Sequence, residues 1–153
     1  MSLSENHLKQ MHGNLPRYSR KDERHRGEYK KLDNHVVANH PDGTEEISFH
    51  TASPFDTPRR MAELVTVTND AFASEEVHVL FIVARFIVDF LAIHPFQDGN
   101  GRLARALTTI LLLRSGYEYT PYASLERVIE ENKVQYYAAL RSSHEMQKRA
   151  TAA

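Results

Sequence analysis

Apolar residues fall into blocks whose period changes at definite points along the chain. In "SLSENHLKQMHGNL", Leu8, Met11 and Leu15 recur at helical spacing and predict a short amphipathic helix. The next stretch, "RYSRKDERHRGEYKKLD", is dense in charges of both signs and reads as a solvated loop. In "DNHVVANHPDGTEEISFH" the pattern becomes strand-like. Val36 and Val37 lie before an Asp42-Gly43 turn signal, and Ile47 and Phe49 follow it, so a β-hairpin is expected over about 34–50. A hairpin is marginal alone, which makes it a flap on a helical body. "SPFDTPRRMAELVTVTNDAFA" then predicts a helix, with Asp56 or Thr57 as cap, Pro58 in the first turn, and Met61, Leu64 and Val65 on one face. "SEEVHVLFIVARFIVDFLAI" predicts a helix from Ser74, with Glu75 and Glu76 at its positive end. It is apolar nearly all round, so it should be the buried central helix. After a break at His94-Pro95, an apolar helix is expected over about 100–115 with Gly116 as its stop. "SLERVIEENKVQYYAALRSSHEMQKR" adds one or two helices with a join near Asn132. The fold class is mostly α with a β-hairpin flap: one domain over 1–147 and a disordered tail over 148–153.

The break between the two most apolar helices is not apolar. It reads "HPFQDGNGRLAR", His94 to Arg105. Pro95 lacks an N–H and biases His94 away from helical geometry. Gly99 and Gly101 let a ligand approach the main chain where the next helix begins. The N–H groups of that first turn and the helix dipole make an anion site there. Arg102 and Arg105, three apart, share a face, and their guanidinium forks suit phosphate oxygens. Asp98 is badly placed for a bare phosphate but suits Mg²⁺, which takes one or two carboxylates together with phosphate oxygens. His94 has a near-neutral pKa and can serve as general base on a hydroxyl. Each residue alone has a plain explanation as a helix end, a turn or a solvated face. Wedged together between two apolar helices, they would be a costly way to make a turn. The chemistry points to a nucleotide polyphosphate held by backbone amides, two arginines and a metal, with a base beside it.

Composition adds exclusions. The chain has 153 residues, no cysteine and a net charge of -1. Disulfides and thiolate metal sites are ruled out, and no charge excess calls for nucleic acid or an anionic membrane. Arg85 and Asp89 break the longest apolar run, so no membrane span is expected. "MSLSENHLKQ" lacks the apolar core of a signal peptide, so a cytoplasmic location is expected.

"HPFQDGNGRLAR" closely resembles the signature of the Fic family, His-Pro-Phe-x-(Asp/Glu)-Gly-Asn-Gly-Arg-x-x-Arg, and is complete from His94 to Arg105. "GEYKKLDNHVV", "SPFDTPRRMAELV" and "SLERVIEENKVQYYAAL" resemble other family segments, so the likeness extends over roughly 5–141. It implies a helical Fic fold with a hairpin flap, and a protein adenylyltransferase. Such an enzyme moves AMP from MgATP to a Ser, Thr or Tyr hydroxyl of a target protein and releases pyrophosphate. By position, the resemblance makes His94 the base, Asp98 the Mg²⁺ ligand, and Gly99, Asn100 and Gly101 the anion hole. Arg102 and Arg105 would bind the polyphosphate, Phe96 would anchor the loop, and Tyr137 would line the adenine pocket. The flap residues Val36, Val37, Ile47 and Phe49 would clamp a target segment by strand pairing.

The chain departs from the family pattern in three ways. His144 stands where many relatives carry an Asn near the adenine, and "SSHEMQKRATAA" stops short of a further helix, as in an excised domain or a short member. Many members also carry an inhibitory (Ser/Thr)-x-x-x-Glu-(Gly/Asn) helix whose Glu pairs with the second arginine, here Arg105. Glu5-Asn6 and Glu131-Asn132 lack the Ser or Thr, and Ser19 to Glu23 is followed by Arg24. Inhibition is then expected from another chain or a missing segment, or the protein is unrestrained. Two alternatives remain open: transfer of another phosphate-containing group, and a nucleotide-binding regulatory module without transfer activity.

Overall fold

The computed structural model describes residues 2–15, 26–39 and 43–151. The charged stretch up to residue 25, Asp42 of the expected turn, the His144 side chain and the last two residues lie outside that set. Among the described residues the order is α1 (Glu5–Gly13), β1 (Val36–Asn39), β2 (Glu45–Phe49), α2 (Thr57–Ser74), α3 (Val79–Ile93), α4 (Asn100–Arg114), a 3₁₀ turn (Thr120–Tyr122), α5 (Leu125–Glu131) and α6 (Lys133–Thr151). The protein is mostly helical with one hairpin. Helix α6 runs to Thr151, within the 148–153 segment expected as a tail.

Helix α1 starts at Ser4, whose hydroxyl accepts the His7 N–H at 3.2 Å. Its buried residue Leu8 reaches the core. Asn69 of α2 clasps the segment before α1, accepting from Leu3 N at 2.8 Å and donating to Leu3 O at 2.9 Å.

Helix α2 has Pro58 in its first turn, as expected, with Asp56 at the N-cap position. Neither candidate side chain caps it. The Asp56 carboxylate accepts the Ser53 hydroxyl at 2.8 Å, and the Thr57 hydroxyl donates to Ser53 O at 2.7 Å. Both groups stabilise the turn before the helix instead.

The expected start of α3 at Ser74 is wrong by five residues. Ser74 closes α2, Glu75 adopts a left-handed φ of 55°, and α3 begins at Val79. The His78 ring caps it by accepting the Leu80 N–H at 3.3 Å. Glu75 and Glu76 therefore belong to the α2–α3 corner, not to the positive end of α3. Burial of α3 is also one-sided. Ile82, Val83, Phe86, Ile87, Phe90 and Ile93 are buried, while Phe81 is 72% exposed.

Helix α3 packs against α2 and α4. The solvent-free centre holds Leu8, Met61, Phe86, Phe90, Phe96, Leu103 and Leu107. Phe96 belongs to the α3–α4 loop, so that loop is anchored in the core. Helix α4 ends as the sequence suggests. Gly116, at φ 92°, donates to Leu113 O, and Tyr117 N donates to Leu112 O, which together form a Schellman stop.

The hairpin pairs antiparallel with Val36 opposite Phe49 and Val37 opposite Ile47, and the register shifts between the two pairs. Gly43 has φ 82°, which suits the expected turn. No helix among the described residues is long and apolar enough to cross a membrane.

Candidate active site

The loop from His94 to Gly99 owes its shape to three clasps. The first lies within the motif. Asn100 is 1% exposed, accepts the Phe96 N–H through Oδ1 at 2.9 Å and donates from Nδ2 to Phe96 O at 2.7 Å. Its side chain is thus committed to the loop. What Asn100 can offer an anion is its main-chain N–H in the first turn of α4.

The second clasp is His12 of α1, which the sequence reading missed. Its ring stacks on Phe96 with centroids 4.0 Å apart and planes 5° apart. Nδ1 accepts the Gly27 N–H at 3.0 Å, so Nε2 carries the proton and donates to Asp98 O at 3.0 Å.

The third clasp comes from the feet of the hairpin. Lys30 N donates to Pro95 O at 2.8 Å. Lys30 Nζ donates to Asn34 Oδ1 at 2.7 Å, Thr51 Oγ1 at 3.0 Å and Ile93 O at 3.0 Å. Asn34 Nδ2 donates to His94 O at 3.1 Å and Phe96 O at 2.6 Å. Lys30 is only 3% exposed, and burial lowers its pKa to about 8, with Asp33 opposing the shift and Arg60 adding to it.

His94 takes a left-handed conformation, φ 53° and ψ 60°, and ends α3 with its N–H on Phe90 O. Its Nδ1 lies 3.2 Å from Leu91 O. A carbonyl only accepts, so in the neutral ring Nδ1 carries the proton and Nε2 keeps a lone pair. Burial is the main cause of a lowered His94 pKa; Lys30 adds to the lowering, and the Leu91 bond and Asp98 oppose it.

Gly99 is the N-cap of α4 at φ 77°, and its C=O accepts from Leu103 N at 2.9 Å. A Cβ there would meet Leu15 at 3.3 Å and the His12 and Arg102 side chains at 3.4 Å. Gly101 is exposed and has ordinary helical φ; a Cβ would meet only Arg105 Nη1, at 3.7 Å. The fold needs a glycine at 99, whereas at 101 a glycine leaves space in front of Arg105.

Arg102 and Arg105 line one cavity of about 460 Å³ together with Leu15, Ala106, Thr109, Leu125 and Glu126. That volume is within the range of small-molecule sites. Arg102 Nη2 contacts Asp98 Oδ2 at 3.1 Å, and Arg105 Nε contacts Glu126 Oε1 at 3.2 Å. Glu126 lies 21 residues beyond Arg105, in the first turn of α5, and does not match the (Ser/Thr)-x-x-x-Glu-(Gly/Asn) pattern. Tyr137 lies outside this lining; it is half exposed and meets Tyr136 edge-on at 5.5 Å. Tyr136, one position earlier on α6, turns inward, close enough for the Arg105 charge to act on its phenol.

Asp98 is exposed, and no group of three or more His, Asp or Glu side chains that could hold a metal occurs among the described residues. One carboxylate cannot cage an ion, but it fits Mg²⁺ that takes its remaining ligands from phosphate and water.

Of the flap residues, Val37 and Ile47 form an exposed cross-strand pair, while Val36 and Phe49 are partly buried.

The profile of the Fic/DOC family matches residues 2–112. The protein adenylyltransferases fic-1 of Caenorhabditis briggsae and Caenorhabditis elegans are each 44% identical over 48 residues, 31% of this chain and 8% of theirs. A 31-residue stretch is 58% identical to part of the ribonucleoside-diphosphate reductase small chain of Ostreid herpesvirus 1, 20% of this chain and 5% of that one. Among solved structures, a Fic domain containing signaling protein of Bacteroides thetaiotaomicron superposes with TM-score 0.62 at 30% identity, over 75% of this chain and 40% of that one. A Fic family protein of Desulfovibrio desulfuricans superposes with TM-score 0.66 at 25% identity, over 94% of this chain and 40% of that one. The chain thus spans well under half of these relatives. With the profile match running from before α1 into the last turn of α4, the chain belongs to the Fic/DOC family.

Proposed function

We propose that the chain is a Fic-type transferase that moves AMP from MgATP to a Ser, Thr or Tyr hydroxyl of a target protein. The observation that carries this reading is a pairing within one loop–helix unit. An imidazole tautomer with a free Nε2 lies on one side, and two arginines on a cavity beside a helix N-terminus lie on the other. The name of the fic-1 relatives supports the same chemistry.

The first-turn N–H groups at Asn100 and Gly101, with Arg102 and Arg105, receive the phosphates. Mg²⁺ bound with the nucleotide would neutralise phosphate charge, and Asp98 is the residue that would hold it. The target oxygen forms a bond to the α-phosphorus, and the bond from that phosphorus to the oxygen bridging to the β-phosphate breaks. The hydroxyl proton passes to His94 Nε2, and pyrophosphate leaves with the electron pair. Val37 and Ile47 on the flap present the target segment by strand addition. The test is labelling of a lysate with ATP carrying label on the α-phosphate, comparing wild type with His94→Ala, followed by the mass of the adduct. Labelling by wild type alone, with the mass of AMP, is expected. Equal labelling by both, or another mass, overturns the reading.

A further inference from the structure

We propose that Lys30 is a positioning residue for His94, an ammonium clamp that locks both feet of the hairpin flap to the peptide carrying the imidazole. The proposal rests on the transferase reading only for its kinetic consequences. Lys30 is the centre of a network spanning three segments. Its ammonium contacts Asn34 before β1, Thr51 after β2 and the Ile93 carbonyl at the end of α3, and its main-chain N–H takes the Pro95 carbonyl. Thr51 Oγ1 and Asn34 Oδ1 lie 3.1 Å apart, which closes the network across the two feet. Asn34 then returns through Nδ2 to the carbonyl of His94 itself, 3.1 Å away. The three ammonium bonds end on neutral acceptors, so dipoles solvate most of the charge, and the Asp33 charge favours it as well. Such a buried cation is costly to keep. A neutral side chain of the same length would not supply three donors to these three segments, so the ammonium calls for a role in joining them.

The geometry supplies one. His94 holds a left-handed backbone that a non-glycine residue rarely adopts unless its surroundings impose it. Of the two peptide planes flanking His94, the one carrying Ile93 O is held by the Lys30 ammonium, and the one carrying His94 O is held by Asn34, which the same ammonium grips through Oδ1. Lys30 N takes Pro95 O one plane further on, so the clamp, directly and through Asn34, sets the backbone at His94 and hence the direction of Nε2. Among the described residues, the charges acting on the imidazole are Lys30, which opposes its protonation, and Asp98, which favours it. With a pKa of about 8, Lys30 is charged throughout the range in which an imidazole titrates, so its field helps to keep His94 unprotonated.

The test compares Lys30→Met, which keeps length and removes charge and bonds, with Lys30→Arg, which keeps charge and donors. The His94 ring is titrated by NMR in Mg²⁺-free solution. Lys30→Met is expected to move the His94 midpoint up, and Lys30→Arg to leave it near the wild-type value. With ATP and a labelled target, Lys30→Met is expected to lower kcat about 10- to 100-fold while KM for ATP stays within about 2-fold, because misplacing a reacting group acts on the chemical step. A folded Lys30→Met with the wild-type His94 titration overturns the proposal, as does a loss confined to KM. If Lys30→Met does not fold, Thr51→Val, which removes one acceptor at the far foot, is read instead. A several-fold drop in kcat with unchanged ATP binding supports the clamp, and wild-type kcat with a wild-type titration overturns it. The ring titration needs no turnover, so it decides the clamp even if wild type transfers no AMP, a result that would sink the transfer reading alone.

Discussion

Asn100 is bonded twice to a single residue four positions earlier: its amide meets both the N–H and the C=O of Phe96, at 2.9 and 2.7 Å. The first residue of α4 thereby closes the loop that precedes it, and Phe96 is driven into the core at the same point. The motif asparagine is a fastener of the site, and its only route to an anion is the main chain.

Removing that fastener should therefore damage the fold first. Asn100→Ala leaves the buried Phe96 N–H without its acceptor, and the expected loss of stability is about 1–3 kcal/mol. Urea unfolding checks this. A loss below about 0.5 kcal/mol would mean that the loop repacks or that water replaces the amide.

The two glycines should respond with opposite signs. Gly99→Ala forces a left-handed φ of 77° on a residue with a Cβ and crowds Leu15, so it should destabilise by about 1 kcal/mol or more. Gly101→Ala is helical and open, and should stabilise α4 by about 0.5–1 kcal/mol. The same methyl stands in front of Arg105, so affinity for ATP should fall. Thermal unfolding and calorimetric titration on both variants decide it; a Gly101→Ala that binds ATP as wild type would remove the polyphosphate from that face.

The pair of Arg105 and Glu126 should affect binding more than stability. Glu126 is largely exposed, and an exposed pair contributes about 0–1 kcal/mol. Arg105 cannot hold Glu126 and a phosphate oxygen at full strength together. Glu126→Gln is expected to leave the unfolding midpoint nearly unchanged and to tighten ATP binding by up to about 5-fold, the factor equivalent to 1 kcal/mol. The gain should shrink at high salt as the competing pair is screened. Calorimetry at two ionic strengths measures it, and unchanged affinity at low salt would place the polyphosphate away from Arg105.

Acid should weaken both fold and turnover through His94. Its folded-state pKa lies below the ordinary 6.5 chiefly because burial disfavours the imidazolium. Between that lowered value and 6.5 the unfolded chain binds more protons, so stability rises with pH across this window. Its contribution is complete above 6.5 and is lost as pH falls through the folded value. His94→Gln should flatten this part of the stability curve, measured by urea unfolding from pH 7 to pH 4.5. The acid limb of kcat should likewise fall below pH 6.5; a limb centred above 6.5 would contradict a buried neutral base.

Much of the fold was readable because its signals are local. Period-3.6 apolar spacing marked α2 and α4, the Asp-Gly signal marked the hairpin, Gly116 marked a stop, and Asn132 a join. The start of α3 was misplaced because Ser74, Glu75 and Glu76 make a good local N-terminus. A left-handed Glu75 and a His78 cap moved the boundary, and neither has a periodic signature. Tyr137 was named from the resemblance alone; adjacent helical residues differ by about 100° in direction, and the docking of α6 brings Tyr136 within reach of the Arg105 charge.

The sequence by itself determined the motif from His94 to Arg105, the helix-initiating glycines, the hairpin around the Asp-Gly signal, and the two strongly apolar helices on either side of the motif. These follow from residue chemistry and short-range spacing. Only the tertiary structure decided what holds the motif in place: His12 stacked on Phe96, Lys30 and Asn34 grasping the carbonyls around His94, and Glu126 on Arg105. These partners lie 21 to 86 residues from what they touch. A contact at that separation leaves no periodicity in the chain, because it forms only once the core has brought distant segments together.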